Sequence, residues 1–253
     1  MTSFYTLVAE QFPHPEFLFM NYGYAEKDPR RCQWIRPEDK PYRHHLSLVR
    51  RVLHGVRLAG RDVLEIGSGR GGNCYYLRRY TKAKTIVGLD LCEANVRLCR
   101  GRRFEGVHFV CGDALRLPFP ESSFDVVLNL ESSHCYPDLG AFLEEVTRVL
   151  RPGAIFAYAD FWELNVFPHN WGERAAALAA VKMEKLLEEE ITEQVFLALK
   201  SHDSLSAILR SLASSDNRDT IEWLAGANEA MRLSLAARQT VYRIWRFRKP
   251  PRR

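Results

Sequence analysis

Two titratable side chains, His134 and Asp160, stand where they could take a proton from a substrate. His134 follows the apolar run 124–130, and Asp160 lies at the end of the apolar run 154–161. If both runs are parallel strands of one sheet, their carboxyl ends meet at the same rim. A histidine with a pKa of about 6.5 is mostly neutral at pH 7, and a carboxylate fixes its tautomer and stabilises the imidazolium. The pair therefore predicts a general base; in the alternative interpretation, His134 only positions a substrate or caps the loop.

A glycine-rich turn lies earlier in the chain, between a predicted strand and a predicted helix. It supplies four predicted cofactor-binding residues, Gly67, Ser68, Gly69 and Gly71. Glycines permit a tight turn and let the backbone approach a ligand closely. Because the sites for NAD, FAD and S-adenosylmethionine (SAM) all use such turns, the turn alone does not identify the cofactor.

Three acidic residues favour SAM among these cofactors. Glu65 precedes the turn in an E-x-G-x-G spacing, Asp90 ends the second predicted strand, and Asp113 follows the third. We expect Asp90, with Leu91 beside it, to accept both ribose hydroxyls, and Asp113, beside Ala114, to accept the adenine amino group. The positive sulfonium and amino groups of SAM tolerate nearby acids. The sequence therefore predicts a SAM site that yields S-adenosylhomocysteine, and no metal.

Two polar residues lie close to the predicted base. Asn129 ends the fourth predicted strand, and we expect it to face the cofactor. Glu131 follows, and its carboxylate could hydrogen-bond the methionyl amine of SAM or the substrate. A purely structural role for Glu131, holding the loop Ser132-Ser133, is the alternative.

Short apolar runs alternate with helical patterns through the middle of the chain, which is typical of an α/β fold with a doubly wound, mostly parallel sheet of the Rossmann-like kind. The predicted strands are 62–67, 85–90, 107–112, 124–130 and 154–161, followed by a closing strand at 241–248. Helices are predicted from the glycine-rich turn to residue 80, over 42–58, 93–103 and 139–150, and throughout 170–212. Four regions follow from this pattern: an N-terminal helical lid (1–60), a SAM-binding core (61–163), a helical cap with late core elements (164–239), and a closing strand with a basic tail (240–253).

The motifs of residues 61–161 resemble those of class I SAM-dependent methyltransferases. The matching segments are VLEIGSGRGG, VGLDLCEANV, FVCGDALRLPFPESSFDVVLN and RVLRPGAIF. Segments 129–153, 158–161, 19–29, 188–199 and 242–249 are further similar to the branch that includes the phthiotriol and phenolphthiotriol dimycocerosates methyltransferases. That resemblance implies methylation of hydroxyls on lipophilic secondary metabolites, with His134 and Asp160 as the base pair.

Several aromatic residues could serve the same site. Tyr22 and Tyr24 lie in the N-terminal segment, where an aromatic ring could cover the sulfonium through a cation–π contact. Phe19, Trp162 and Phe167 could line an apolar acceptor pocket. Aromatic residues scattered in this way are more often part of a core.

Charge and hydropathy limit the expected partners and location. The net charge of +5 owes much to the basic tail 243–253, which could touch nucleic acid or lipid but is more simply a final strand with a solvated end. No run approaches the ~18 apolar residues of a membrane span. The N-terminus does not resemble a signal peptide, so we expect a cytoplasmic protein without stable membrane insertion. The sequence leaves the oligomeric state open, a homodimer included.

Competing functions follow from the same motifs. C-methylation of an alkene, isoprenoid or aromatic carbon would use aromatic walls and a later base. N-methylation and a SAM-fold enzyme that does not methylate are weaker alternatives. A nucleic-acid methyltransferase would carry an Asn/Asp-Pro-Pro-Tyr type of loop to hold a flipped base, whereas this chain has NLESSHCY at 129–136. We therefore expect a small lipophilic acceptor and no nucleic acid.

Overall fold

The computed structural model describes residues 2–102, 104–163, 171–201, 209–210, 214 and 217–251. Seven strands form one sheet in the order β3-β2-β1-β4-β5-β7-β6. They are β1 (Asp62–Ile66), β2 (Thr85–Asp90), β3 (Val107–Cys111), β4 (Phe124–Leu130), β5 (Leu150–Glu163), β6 (Glu184–Glu190) and β7 (Thr240–Arg248). The first five strands pair in parallel, whereas β7 runs antiparallel to both β5 and β6.

Eight helices of the described residues surround this sheet. They are α1 (Thr2–Gln11), α2 (Arg43–Val52), α3 (Gly72–Tyr80), α4 (Glu93–Gly101), α5 (Leu139–Val149), α6 (Trp171–Ala180), α7 (Thr192–Lys200) and α8 (Arg218–Ala236). Short 3-10 turns lie at Pro29–Cys32, Pro37–Tyr42 and Ser133–Cys135. No helix within these described parts combines the length and the apolar character needed to cross a bilayer.

Alternate residues of the central strands enter two separate cores, one on each face of the sheet. On β1, Val63 joins the core built with α2, α3 and α4, while Leu64 and Ile66 join the core built with α5. This burial on both faces explains why the central strands are almost uninterrupted apolar runs, as parallel sheets require. The polar residues that follow them are left at the carboxyl rim.

The α/β fold with its doubly wound, mostly parallel sheet confirms the sequence prediction. β2 and β4 have the predicted bounds, and Asp138 caps α5 by accepting a hydrogen bond from the amide of Ala141 at 2.9 Å. The helix predicted over 42–58 ends early, at Val52, because the chain turns at Gly55, where φ is +80°. β5 is longer than predicted because it pairs with β7 as far as Glu163.

The prediction of helices throughout 170–212 is wrong over β6. Within 170–212, α6 and α7 are helical as predicted, but Glu184–Glu190, which lies between them, is an edge strand that pairs with β7. Arg248 donates to both carboxylate oxygens of Glu184 at 2.7–2.9 Å, and Arg243 donates to Glu188 at 2.7 Å. Opposite charges paired across strands stabilise a sheet, so a tertiary contact overrides the helical tendency of this segment. Arg243 and Arg248 of the basic tail therefore have acidic partners within the sheet.

Candidate active site

A cavity of about 550 Å³ opens at the carboxyl ends of β1, β2 and β4. Eight of the predicted cofactor-binding residues line it: Tyr22, Gly67, Ser68, Gly69, Asp90, Leu91, Asp113 and Ala114. His134 and Glu131 line it as well, so the fold brings the predicted cofactor residues and the predicted base to one place. The position agrees with the rule that ligands of open α/β sheets bind beyond the carboxyl ends of the strands.

The turn after β1 needs glycine at Gly67 for two reasons. Its φ is +74°, and a Cβ atom there would lie 2.3 Å from the side-chain oxygen of Ser132. The turn can therefore pack directly under the loop that follows β4. Within the turn, the hydroxyl of Ser68 is buried and has no hydrogen-bond partner among the described residues. A buried hydroxyl of this kind calls for a ligand atom, because an unpaired buried polar group is costly.

Asp90 lies at the end of β2 and faces the same cavity. One carboxylate oxygen accepts the amide N–H of Gly69 at 2.7 Å, and the other accepts the amide N–H of Cys92 at 2.8 Å. Burial raises the pKa of Asp90 despite these bonds. Both oxygens keep lone pairs that could accept the vicinal hydroxyls of a ribose. Asp113, Ala114 and Leu91 line the next part of the cavity wall.

Three predicted cofactor-binding residues do not line the cavity: Glu65, Gly71 and Asn129. Glu65 is fully buried beneath the glycine-rich turn, where it accepts hydrogen bonds from Asn73 at 2.8 Å and from the thiol of Cys74 at 2.9 Å. Burial raises the pKa of Glu65 to about 8. Asn129 is likewise buried and donates to the carbonyl of Ile66 at 3.0 Å. Glu65 and Asn129 thus support the turn and the loop after β4 from behind.

His134 and Asp160 form a hydrogen-bonded pair. His134 stands in the 3-10 turn after β4, Asp160 lies on β5, and the ring nitrogen Nδ1 is 2.8 Å from Oδ1 of Asp160. Asp160 is completely buried behind the imidazole and does not itself line the cavity. If Nδ1 donates to the carboxylate, Nε2 is the nitrogen that can accept a proton. This is the relative arrangement of a base and the acid that orients it.

The electrostatics of this pair favour the charged forms. Burial alone would lower the pKa of His134, but the charge of Asp160 and its hydrogen bond outweigh burial and raise that pKa to about 10. Burial alone would raise the pKa of Asp160, but His134 and the hydroxyl of Ser133 hold it below its ordinary value. Asp160 is therefore the permanent anion of the pair, and His134 is the group that titrates. With its pKa raised this far, the imidazole is mostly protonated at pH 7, unlike the ordinary histidine assumed from the sequence, and it becomes available as a base as the pH rises.

Ser133 holds Asp160 in place and is itself contacted by Tyr158 and Arg174, a network that the sequence did not predict. The hydroxyl of Ser133 donates to Asp160 at 2.6 Å and also contacts the hydroxyl of Tyr158 at 2.6 Å. Arg174, on α6, is buried and donates to the carbonyl of Ser133 at 3.4 Å. The amide of His134 donates a further bond to Asp160, at 2.9 Å. No sequence signal linked Arg174 to this network, because it lies outside the motifs and reaches them only through the fold.

Glu131 connects the N-terminal segment to the sheet. Its carboxylate accepts the amide N–H of Tyr22 at 3.0 Å and the hydroxyl of Tyr242 at 2.8 Å. Burial raises its pKa to about 8. Its φ of +49° is unusual for a residue with a side chain, and strain of this kind is concentrated at functional sites.

An aromatic ring packs against the imidazole, and a second ring packs against the first. The ring of Phe161 lies 4.4 Å from that of His134, and the ring of Tyr22 lies 5.5 Å from that of Phe161. Phe19 lines the cavity, whereas Trp162 is buried and stacks on Trp245. Tyr24 is buried in the core, and Phe167 lies outside the described residues.

A buried arginine that the sequence analysis did not single out fixes the segment above the cavity. Arg70, within the glycine-rich turn, is 1% exposed and donates to the carbonyls of Phe12 at 2.9 Å and Phe17 at 2.6 Å. Burial, with Arg102 nearby, lowers its pKa to about 9. The turn thus carries the cofactor-facing backbone on one side and holds the N-terminal segment with a side chain on the other.

Known proteins resemble this chain in sequence. The family described as Methyltransferase domain matches residues 64–158. The phthiotriol/phenolphthiotriol dimycocerosates methyltransferase of Mycobacterium tuberculosis is 40% identical over 203 residues, which cover 80% of this chain and 73% of that protein. The fatty-acid O-methyltransferase of Mycolicibacterium smegmatis is 37% identical over 97% of this chain and 88% of its own length.

Solved structures share the fold at low sequence identity. The [4+2]-cyclase SpnF superposes with a TM-score of 0.75 at 20% identity and covers 99% of this chain and 95% of its own. The geranyl diphosphate C-methyltransferase of Streptomyces coelicolor, solved with S-adenosyl-L-homocysteine, has a TM-score of 0.70 at 15% identity and covers 97% of this chain and 98% of its own. At such identities the likeness concerns the fold alone.

Fold, site and relatives together define a SAM-dependent methyltransferase with the class I Rossmann-like fold. Within that class, the chain belongs to the family that contains the phthiotriol/phenolphthiotriol dimycocerosates methyltransferases. The buried hydroxyl of Ser68, the glycine-rich backbone and the carboxylate of Asp90 fit the cofactor of this class.

Proposed function

We propose that this enzyme methylates a hydroxyl oxygen of a small lipophilic acceptor, with His134 as the general base and Asp160 as its orienting anion. The observation that carries the proposal is the 2.8 Å bond between His134 and the buried Asp160, with His134 at the cavity wall. SAM, when bound, supplies a methyl group already activated by its sulfonium. The protein's remaining tasks are to position the acceptor, exclude water and remove the hydroxyl proton.

The need for a base separates two classes of acceptor. A carboxylic acid, with a pKa of about 4, is already ionised at neutral pH and needs no base. An alcohol must lose its proton as the new carbon–oxygen bond forms, so a positioned imidazole accelerates its reaction. The two relatives described above act, by their names, on acceptors of both classes, a phthiotriol and a fatty acid. The His134–Asp160 pair favours the hydroxyl class for this chain.

Cofactor contacts follow from the cavity lining. We assign Asp90 to the ribose hydroxyls, Asp113 to the adenine amino group, and the backbone of Gly67 and Gly69 to the methionyl end. Tyr22 lies beside Phe161, and its ring would cover the sulfonium through a cation–π contact. Glu131 has a positioning role, because Tyr22 and Tyr242 already engage its carboxylate.

A second candidate, C-methylation, is favoured by the aromatic rings around His134. Methyl transfer to an alkene generates a carbocation, which aromatic faces stabilise. In that reaction His134 would remove a proton after transfer and not during it. The position of the transferred methyl group distinguishes the two reactions.

Methyl transfer from isotopically labelled SAM tests the proposal. The enzyme is incubated with a panel of long-chain alcohols, phenols, fatty acids and isoprenoids, and mass spectrometry locates the label. We expect label on oxygen in hydroxylated acceptors. Label found only on carbon, or only on the carboxylates of fatty acids, would refute the assignment.

Substitution of the base supplies the matching mutational test. His134→Ala should lower kcat by about 10²–10⁴-fold, the usual contribution of a general base. Its affinity for S-adenosylhomocysteine, measured by calorimetry, should stay close to that of the wild type. His54→Ala makes the same change at an exposed position and is the matched control. Full activity in His134→Ala would leave the pair with a structural role only.

A further inference from the structure

Three buried residues at the cavity wall carry a polar atom with no hydrogen-bond partner among the described residues: Ser68, Arg70 and Asn228. Ser68 and Arg70 belong to the glycine-rich turn, which faces the cofactor. Asn228 is different because it lies on α8, far along the chain from every cofactor motif. Its side chain is therefore the one of these three orphaned groups that does not belong to the glycine-rich turn.

The hydrogen bond of Asn228 identifies which of its side-chain atoms has no hydrogen-bond partner among the described residues. The amide nitrogen donates to the carbonyl of Leu224, one turn earlier in α8, at 2.8 Å. Only the nitrogen of an amide can donate to a carbonyl, so this bond assigns the other atom as the oxygen Oδ1. That oxygen is a pure acceptor, and Asn228 is only 5% exposed.

The other α8 residues that line the cavity are largely apolar. Trp223, Leu224 and Ala227 of the same helix line the cavity beside it, and Leu130 and Phe161 line the wall nearer to His134. A buried polar atom among apolar neighbours loses its bonds to water, a cost that a ligand donor can remove. A carboxylate, which has no proton to donate, would be repelled by Oδ1.

We propose that Asn228 is a specificity-determining residue that accepts a hydrogen bond from a second hydroxyl of the acceptor, one that is not methylated. The preferred substrate class is then a lipophilic diol or polyol, in which one hydroxyl meets His134 and another meets Asn228. This inference rests on the proposed function for the first of these hydroxyls. It adds a recognition point at the far wall of the same cavity.

Binding of matched alcohols tests this point without requiring methyl transfer. The probes are a series of α,ω-alkanediols of increasing chain length and the primary alcohols of equal length. Their dissociation constants are measured by calorimetry on the full chain saturated with S-adenosylhomocysteine. We expect the diol of best-fitting length to bind about tenfold more tightly than its alcohol, the effect of pairing one buried acceptor. Equal affinities at every length, or no binding by either series, would overturn the proposal.

Two variants of Asn228 show whether the amide oxygen is responsible. Asn228→Leu removes the acceptor and should bring the diol-to-alcohol affinity ratio to about one. Asn228→Asp, protonated in its buried position, keeps an acceptor oxygen and a donor for Leu224 and should retain the preference for the diol. Glu222→Leu, on the exposed face of α8, is the matched control and should keep the wild-type ratio. An unchanged ratio in Asn228→Leu would assign the diol preference to another group and refute the role of Asn228.

The outcomes remain distinct from those of the proposed function. If alcohols are methylated but diols bind no better than alcohols, only the role of Asn228 fails. If diols bind through Asn228 but no oxygen is methylated, only the O-methylation proposal fails. The wild-type comparison alone keeps the inference falsifiable if a variant does not fold.

Discussion

Two carboxylic acids lie close to the imidazole of His134, and their environments drive their pKa values apart. Asp160 receives hydrogen bonds from the imidazole, from the hydroxyl of Ser133, and from the amides of His134 and Phe161. Among the residues that the structure describes, Glu131 receives bonds from Tyr22 and Tyr242 alone, and burial raises its pKa to about 8. Such divergence assigns roles to paired acids. Asp160 remains ionised beside the base, while Glu131 serves to hold the N-terminal segment.

The pH dependence of kcat follows from the raised pKa of His134. The imidazolium must lose its proton before it can act as a base, so kcat rises with pH until the pKa of His134 is passed. Because Asp160 raises that pKa, we expect the ascending limb to lie above pH 6.5, the ordinary value for histidine. Asp160→Asn removes the charge, so the limb should move to lower pH while the plateau falls by about a hundredfold or more.

The measurement is kcat as a function of pH with SAM and acceptor both saturating. Asp219→Asn, an exposed carboxylate on α8, makes the same substitution away from the site and should leave the limb in place. If the ascending limb of the kcat–pH profile keeps its position in Asp160→Asn, then the titration of His134 does not cause that limb.

At the scale of elements, strand bounds could be predicted well wherever a run of apolar residues is buried along its length. β2 and β4 are largely apolar runs with buried residues on both faces of the sheet, and their bounds could be predicted to the residue. The polar residues at the rim were therefore placed correctly, His134 and Asp160 among them. The Asn129 side chain turns into the loop after β4, and this could not be predicted because the loop is built from distant parts of the chain.

β6 shows why other elements escaped prediction. Its residues EKLLEEE favour a helix locally, and only the arginines of β7, more than fifty residues later, make the extended form preferable. The hold of Arg70 on Phe12 and Phe17 is similarly long-range. The periodicity of apolar residues indicates which face of an element is buried. It does not indicate which distant element will pair with a charged strand such as β6.

A charge exchange across β6 and β7 tests this explanation. Glu184 and Arg248 are register partners joined by hydrogen bonds of 2.7–2.9 Å. Glu184→Arg replaces attraction with repulsion and should lower the free energy of unfolding by about 1 kcal/mol, since both side chains are partly exposed. Adding Arg248→Glu to that variant restores opposite charges and should recover most of the loss. Thermal or urea unfolding measures both; a double variant as unstable as Glu184→Arg would contradict a stabilising charge pair.

At the scale of the molecule, the cavity is a product of distant segments. The glycine-rich turn, the loop after β4, the N-terminal residues around Tyr22 and the face of α8 around Asn228 all contribute to it. Three titratable groups with restricted access to solvent support or line it: the buried Glu65 beneath the turn, and the half-buried Glu131 and His134. Each of these groups has a raised pKa. The site therefore couples the stability of the whole fold to pH.

The sign of this coupling is the same for all three groups. A raised pKa means that the folded chain holds a proton that the unfolded chain has already released. Stability should therefore fall as pH rises from about 4.5 toward 8 for Glu65 and Glu131, and from about 6.5 toward 10 for His134.

Glu65→Gln removes one of these groups in a place that does not line the cavity, so its Tm should fall less steeply with pH than that of the wild type. Each kcal/mol of difference corresponds to about 2–4 °C for a chain of this size. Calorimetric scans from pH 5 to pH 9 measure the slope of Tm against pH. Glu222→Gln, at an exposed position, is the matched control. Equal slopes for Glu65→Gln and the wild type would mean that Glu65 is ionised in the folded state at neutral pH.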